Sequence, residues 1–96
     1  MILLLDYDGT YTADPDFWLE FIIHSKAKGH LVYCVTMRYE KEGKPLEDSI
    51  GRICEIVYTN RMAKKSFMID WLEKMNIRPQ ALIWIDDQPE FLFTDG

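Results

Sequence analysis

Asp6, Asp8, Gly9 and Thr10 stand directly after the apolar run Ile2-Leu3-Leu4-Leu5. Two carboxylates two residues apart leave what reads as a buried strand and meet a glycine turn. That spacing concentrates negative charge at a strand end, where a divalent cation or a phosphoryl group can be handled. Three later strand-like runs also end in polar residues: Thr36, the stretch Thr59 to Lys65, and the pair Asp86-Asp87. Asp6, Asp8 and one of Asp86 or Asp87 supply hard oxygen ligands. Mg²⁺ favours such a set, a few carboxylates completed by water and substrate phosphate. Crowded carboxylates also repel unless a cation neutralises them. Lys64 falls in the first turn of a helix, where it can steady a phosphate or a carboxylate. The Thr36 hydroxyl can hydrogen-bond an anion. Any one of these residues is an ordinary turn former; polar groups at all four strand ends are harder to dismiss.

The elements that position these residues read in order along the chain. A strand over residues 1–6 is followed by Asp14-Pro15, an N-cap and a first-turn proline. A helix runs from about Pro15 to about Lys28, with Gly29 as its stop. Its apolar residues Phe17, Trp18, Leu19, Phe21, Ile22 and Ile23 exceed one stripe, so part of that face suits a partner subunit. Leu31 to Val35 is the second strand. Met37 to Pro45 reads as a charged loop, and Asp48 or Ser49 caps a short helix reaching about Cys54. Ile56 to Tyr58 is the third strand. A helix from about Met62 to Met75 carries a core-facing stripe of Phe67, Met68, Trp71, Leu72 and Met75. Ala81 to Ile85 is the fourth strand, and Pro89 limits the remainder to a tail or a single turn. Nearly continuous apolar strands alternating with helices specify an α/β fold, a parallel sheet of about four strands with helices on both faces. In such a sheet ligands bind at the carboxyl edge of the strands, where the polar ends converge.

Composition narrows the classes of function. A chain of 96 residues suits one domain over residues 1–96, and 48% hydrophobic residues are enough to build its core. No apolar stretch of about 18 residues is present to cross a membrane, and the start lacks a signal peptide's basic leader. These features point to a soluble, cytoplasmic protein. A net charge of −5 without a lysine- and arginine-rich stripe argues against broad nucleic-acid binding. Cys34 and Cys54 are too few for a disulfide framework or zinc site; Cys34 reads as a small buried hydrophobe. His24 and His30 lie away from the polar strand ends, and no Ser-His-Asp or Cys-His set is present.

The ordered set resembles the haloacid dehalogenase (HAD) superfamily over nearly the whole chain. Asp6-Tyr7-Asp8-Gly9-Thr10 is similar to its first motif, Asp-x-Asp-Gly-Thr. Thr36 is similar to the Ser or Thr of the second, Lys64 to the lysine of the third, and Asp86-Asp87 to the acidic fourth. The resemblance implies a single three-layer Rossmann-like domain and a Mg²⁺-dependent phosphatase that hydrolyses a phosphomonoester through an aspartyl-phosphate. Asp6 would be the nucleophile and Asp8 the general acid and base. Thr36 would bind phosphate, and Lys64 would stabilise the charged intermediate. Mg²⁺ would be held by Asp6, the Asp8 backbone carbonyl and Asp86, with Asp87 as a further ligand or support. Periodicity does not separate Lys64 from Lys65; the motif favours Lys64. Neither position at which family members insert a cap has room for one, so a capless core is implied. Capless members tend to act on macromolecules or to close the site with a neighbouring subunit, which makes a homodimer an expectation. The alternative is a module that binds a phosphorylated ligand or partner with little or no turnover.

Overall fold

Burial decides which strand is central. In the computed structural model, which describes residues 1–96, all four residues of β1 (Ile2–Leu5) are buried. It pairs on one side with β2 (Leu31–Thr36) and on the other with β4 (Leu82–Ile85); β3 (Glu55–Tyr58) pairs with β2. The sheet is all parallel in the order β3-β2-β1-β4. Leu5 lies opposite both Cys34 and Ile85, so Asp6 emerges between the ends of its two neighbours. A strand walled on both faces and both edges has no solvent side, which is why its sequence is an unbroken apolar run.

The helices form outer layers. Helix α1 (Pro15–Ala27) starts where the Asp14 carboxylate accepts a hydrogen bond from the Phe17 amide at 3.3 Å, with Pro15 in the first turn. It ends before Gly29, whose φ of +88° is the left-handed conformation that glycine adopts without cost. Ile22 of α1 packs with Leu3, Leu5, Val32 and Cys34 on one face. Helix α3 (Lys64–Lys74) covers the other, where Met68 and Leu72 meet Ile2, Leu4, Val35 and Val57. The chain steps outward from β1 to β3 and then returns across the whole sheet to β4. Right-handed crossovers therefore need opposite faces for the two directions. The result is a single α/β Rossmann-like domain of three layers.

The middle of the chain departs from its sequence reading. The short helix α2 is Lys44–Glu47, flanked by 3₁₀ turns at Glu40–Glu42 and Ile50–Arg52; it does not run from Ser49 to Cys54. Pro45 suits a first helical turn, and burying Leu46 and Ile50 together fixes that turn against the core. The Ser49 hydroxyl donates back to the Pro45 carbonyl at 2.6 Å, so it does not cap. Helix α3 begins at Lys64, because Asn60 and Arg61, at φ of 55° and 67°, turn the chain sharply after β3. Met62 and Met75 thus fall outside α3 and are exposed. On α1, Phe17 and Ile23 are exposed, and Trp18 packs edge-on against Phe17 and Phe21. Cys34 and Cys54 are free and buried, and burial pushes the Cys54 thiol up to about 11. His30 lies beside the amino terminus, Nδ1 at 3.0 Å from the Met1 nitrogen. No helix is long and apolar enough to cross a membrane.

Gly29 isolates one energetic effect. A Cβ there would meet nothing within 4 Å, so its only penalty is the left-handed backbone. Gly29→Ala is expected to cost about 1 kcal/mol in urea unfolding. An unchanged midpoint would show that the turn does not need glycine.

Candidate active site

The carboxyl edge of the sheet gathers the polar strand ends. Lys64 is the first residue of α3, and its buried Nζ lies 2.8 Å from Asp6 Oδ1 and 2.6 Å from Asp86 Oδ2. Its neighbour Lys65 is exposed and sits over the Phe93 ring at 5.4 Å, so Lys64 is the lysine of the site. The Thr10 hydroxyl lies 3.2 Å from Asp6 Oδ2 and 3.0 Å from Asp87 Oδ1, and accepts from the Asp87 amide at 3.1 Å. With one proton to give, it donates to one carboxylate at a time. Asp86 Oδ1 accepts from the Gln88 amide at 2.9 Å. Gly9 allows this closeness twice over. Its φ is +84°, and a Cβ would lie 2.5 Å from Asp87 Oδ2.

Asp6, Asp86 and Asp87 offer oxygens that all lie within 4.8 Å of one another. Three hard donors converging in this way fit Mg²⁺. The Asp8 carboxylate stands outside the group. It is gripped by Arg38, with Nη2 at 2.8 Å from Oδ1 and Nε at 2.9 Å from Oδ2. The side chains that converge are those of Asp6, Asp86 and Asp87, without Asp8. Any part for Asp8 at a cation is left to its backbone carbonyl, as the resemblance implies.

Electrostatics report the same crowding. Burial pushes the Asp6 carboxyl from 3.8 up to about 7, although the Lys64 ammonium pulls the other way. Burial also works against the Lys64 ammonium, but Asp6 and Asp86 outweigh it and hold that amine above its ordinary value. Asp87 is held below the usual carboxylate range, first by its hydrogen bond with Asp6. Without a cation, then, Asp6 keeps its proton and Asp87 stays ionised beside it.

Thr36 is buried at the end of β2, and its Oγ1 accepts from the Arg38 amide at 3.3 Å, which leaves the hydroxyl proton free for an anion. Asp6, Asp8, Thr36, Arg38, Arg61 and Lys64 line one cleft of about 270 Å³. Roomier hollows of about 590 and 700 Å³ lie elsewhere, around Leu72 and Leu82 and around Ile23 and Arg52, and neither gathers this polar set. All the residues expected at the site thus share one edge.

The sequence places Arg38, with Tyr39 and Arg61, near this edge without giving it a role, and it does not reveal Asp95. Arg38 stands two residues beyond Thr36, and that placement was its one signal; charged loop residues usually face water. Asp95 accepts from the Ala63 amide at 2.7 Å and so ties down the turn ahead of Lys64, a contact between residues 32 apart that no local pattern announces. No family model, curated protein or solved structure matches the chain, so the site is read from its own residues.

The shift at Asp6 sets a pH dependence for the cation-free protein. Asp6 ionises near 3.8 when unfolded and near 7 when folded. The fold binds the extra proton between these values, so this contribution to stability is full below about pH 4 and is lost as pH rises through about 7. In EDTA, the urea midpoint is expected to fall between about pH 5 and about pH 8, and Asp6→Asn is expected to flatten that fall. An equal fall in both proteins would remove Asp6 as its source.

Proposed function

We infer that the cleft is the active site of a Mg²⁺-dependent phosphatase, hydrolysing a phosphomonoester through an aspartyl-phosphate on Asp6. One observation carries this reading: the buried Lys64 ammonium joins Asp6 to Asp86, beside Thr36, at the edge where the first strand ends. A lysine so placed neutralises charge on a phosphoryl group and its acceptor. The motif order shared with the HAD superfamily supports the same assignment.

In this reading Asp6 attacks phosphorus as the P–O bond to the leaving alcohol breaks, and Asp8 gives that oxygen its proton. Asp8 then takes a proton from the water that attacks phosphorus, and inorganic phosphate and the Asp6 carboxylate are released. Thr36 donates its hydroxyl proton to a phosphoryl oxygen. Lys64 holds Asp6 in line and offsets charge on the transferring group. A Mg²⁺ ion held by Asp6, Asp86 and Asp87 would supply further neutralisation of phosphate charge.

The connections beside the site are short. A single turn, Tyr11–Ala13, lies between Thr10 and α1, and only Thr59 to Ala63 separate β3 from α3. Neither covers the cleft with a domain, which favours a phosphate presented on a large or protruding substrate. A second copy packed against the exposed Phe17 and Ile23 would be one source of a wall. The free thiols of Cys34 and Cys54 suit a reducing, cytoplasmic setting.

Purified protein with Mg²⁺ is expected to hydrolyse at least one of p-nitrophenyl phosphate, a nucleoside monophosphate, a sugar phosphate and a phosphopeptide. EDTA should stop turnover, and Asp6→Asn should lower it about 10³-fold or more. No hydrolysis across the set, or equal rates with Asp6→Asn, would overturn the reading. Calorimetric phosphate binding without turnover would instead identify a binding module.

A further inference from the structure

Arg38 is anchored more firmly than a cleft-lining arginine needs to be. Besides the two bonds to Asp8, its Nη1 donates to the Glu42 carbonyl at 3.0 Å, and its guanidinium lies 5.6 Å from the centre of the Tyr7 ring. Its backbone amide meets Thr36. Glu42 is itself fixed, accepting from the Tyr39 amide at 2.9 Å and from Arg61 at 3.2 Å. Three guanidinium N–H groups are thus committed to the protein, and the one side-chain acceptor is Asp8. A fork fixed at its base and pointed at a single carboxylate sets where that carboxylate stands. The hydrogen bond to Asp8 lifts Arg38 above its ordinary value.

The geometry points to Arg38 as the positioning residue of the second half-reaction, setting where the Asp8 side chain stands at the cleft mouth for the water that attacks the aspartyl-phosphate. This rests on the phosphatase reading. In that step water's oxygen bonds to phosphorus and its proton passes to Asp8. The bond between phosphorus and the Asp6 oxygen breaks, and its electron pair returns to Asp6. Two parallel N–H···O bonds occupy one lone pair on each Asp8 oxygen, and the others remain open to that proton. Asp8 is about half exposed in the pair, so water reaches it. Arg38 touches neither phosphorus nor water in this scheme. Its effect passes through Asp8.

The test uses p-nitrophenyl phosphate, whose leaving group departs without a proton, so the first half-reaction makes little demand on Asp8. In Arg38→Gln the steady-state rate is expected to fall about 100-fold, within what a positioned acid–base group supplies. Acid-quenched protein should carry more phosphate on Asp6 during turnover than the parent does. Arg38→Lys, which keeps the charge and loses the fork, should also accumulate phosphoenzyme, to a smaller extent. In an Asp8→Asn background, Arg38→Gln should change little. Three results would overturn the role while leaving the phosphatase standing: unchanged phosphoenzyme occupancy, full activity in Arg38→Gln, or an equal loss with and without Asp8. A parent protein that hydrolyses nothing overturns both.

Discussion

The buried contact of Lys64 with Asp6 and Asp86 is the constraint around which the carboxyl edge is built. Removing an ammonium and two carboxylates from water costs several kcal/mol per ion, and their attraction does not reliably repay it. A chain of this size has little stability to spare. The arrangement is therefore weak evidence of a scaffolding role. The count is also uneven. Asp6, Asp86 and Asp87 face one lysine, and burial keeps a proton on Asp6 up to about pH 7. A cation among the three carboxylates would take that proton's place.

The fold delivers this contact through register and one helix start. Asp6 and Asp86 follow Leu5 and Ile85, which are direct partners in neighbouring strands, so the two carboxylates leave the sheet side by side. Lys64 comes from the opposite side of the order, by way of β3 and the left-handed pair Asn60 and Arg61. Asp95 then accepts from the Ala63 amide, tying down the turn from which Lys64 reaches inward. Four parts of the chain thus set one nitrogen between two oxygens.

How much was legible in the sequence follows from the range of each interaction. The strands and both long helices were readable because apolar period, the Asp14-Pro15 start and the Gly29 stop are local signals. The carboxylates, Thr36 and Lys64 were readable because a parallel sheet sends all its strand ends to one edge. The α2 region was misread: Pro45 and Ser49 each suit more than one turn position, and burial of Leu46 and Ile50 made the choice. Lys64 and Lys65 were inseparable until the start of α3 was known. Arg38 was legible only as a residue near the edge; its pairing with Asp8 was not, since the two lie 30 positions apart and an arginine in a charged loop carries no periodicity.

The two ion pairs of the cleft differ in a way that assigns them different duties. The side chains of Lys64 and Asp6 retain 4% and 10% of their exposure, whereas those of Arg38 and Asp8 retain 27% and 55%. A buried pair cannot be opened cheaply, because each ion would be left in a poor dielectric without its partner. An exposed pair contributes about 0–1 kcal/mol, since water replaces what is lost. Asp6 is therefore fixed, which is what the phosphatase reading asks of a nucleophile. Asp8 can part from Arg38 and return without disturbing the core, as that reading asks of a group that exchanges a proton. One carboxylate held rigidly and another held reversibly is the division of labour that the proposed two-step transfer would need, and the difference in burial underlies it.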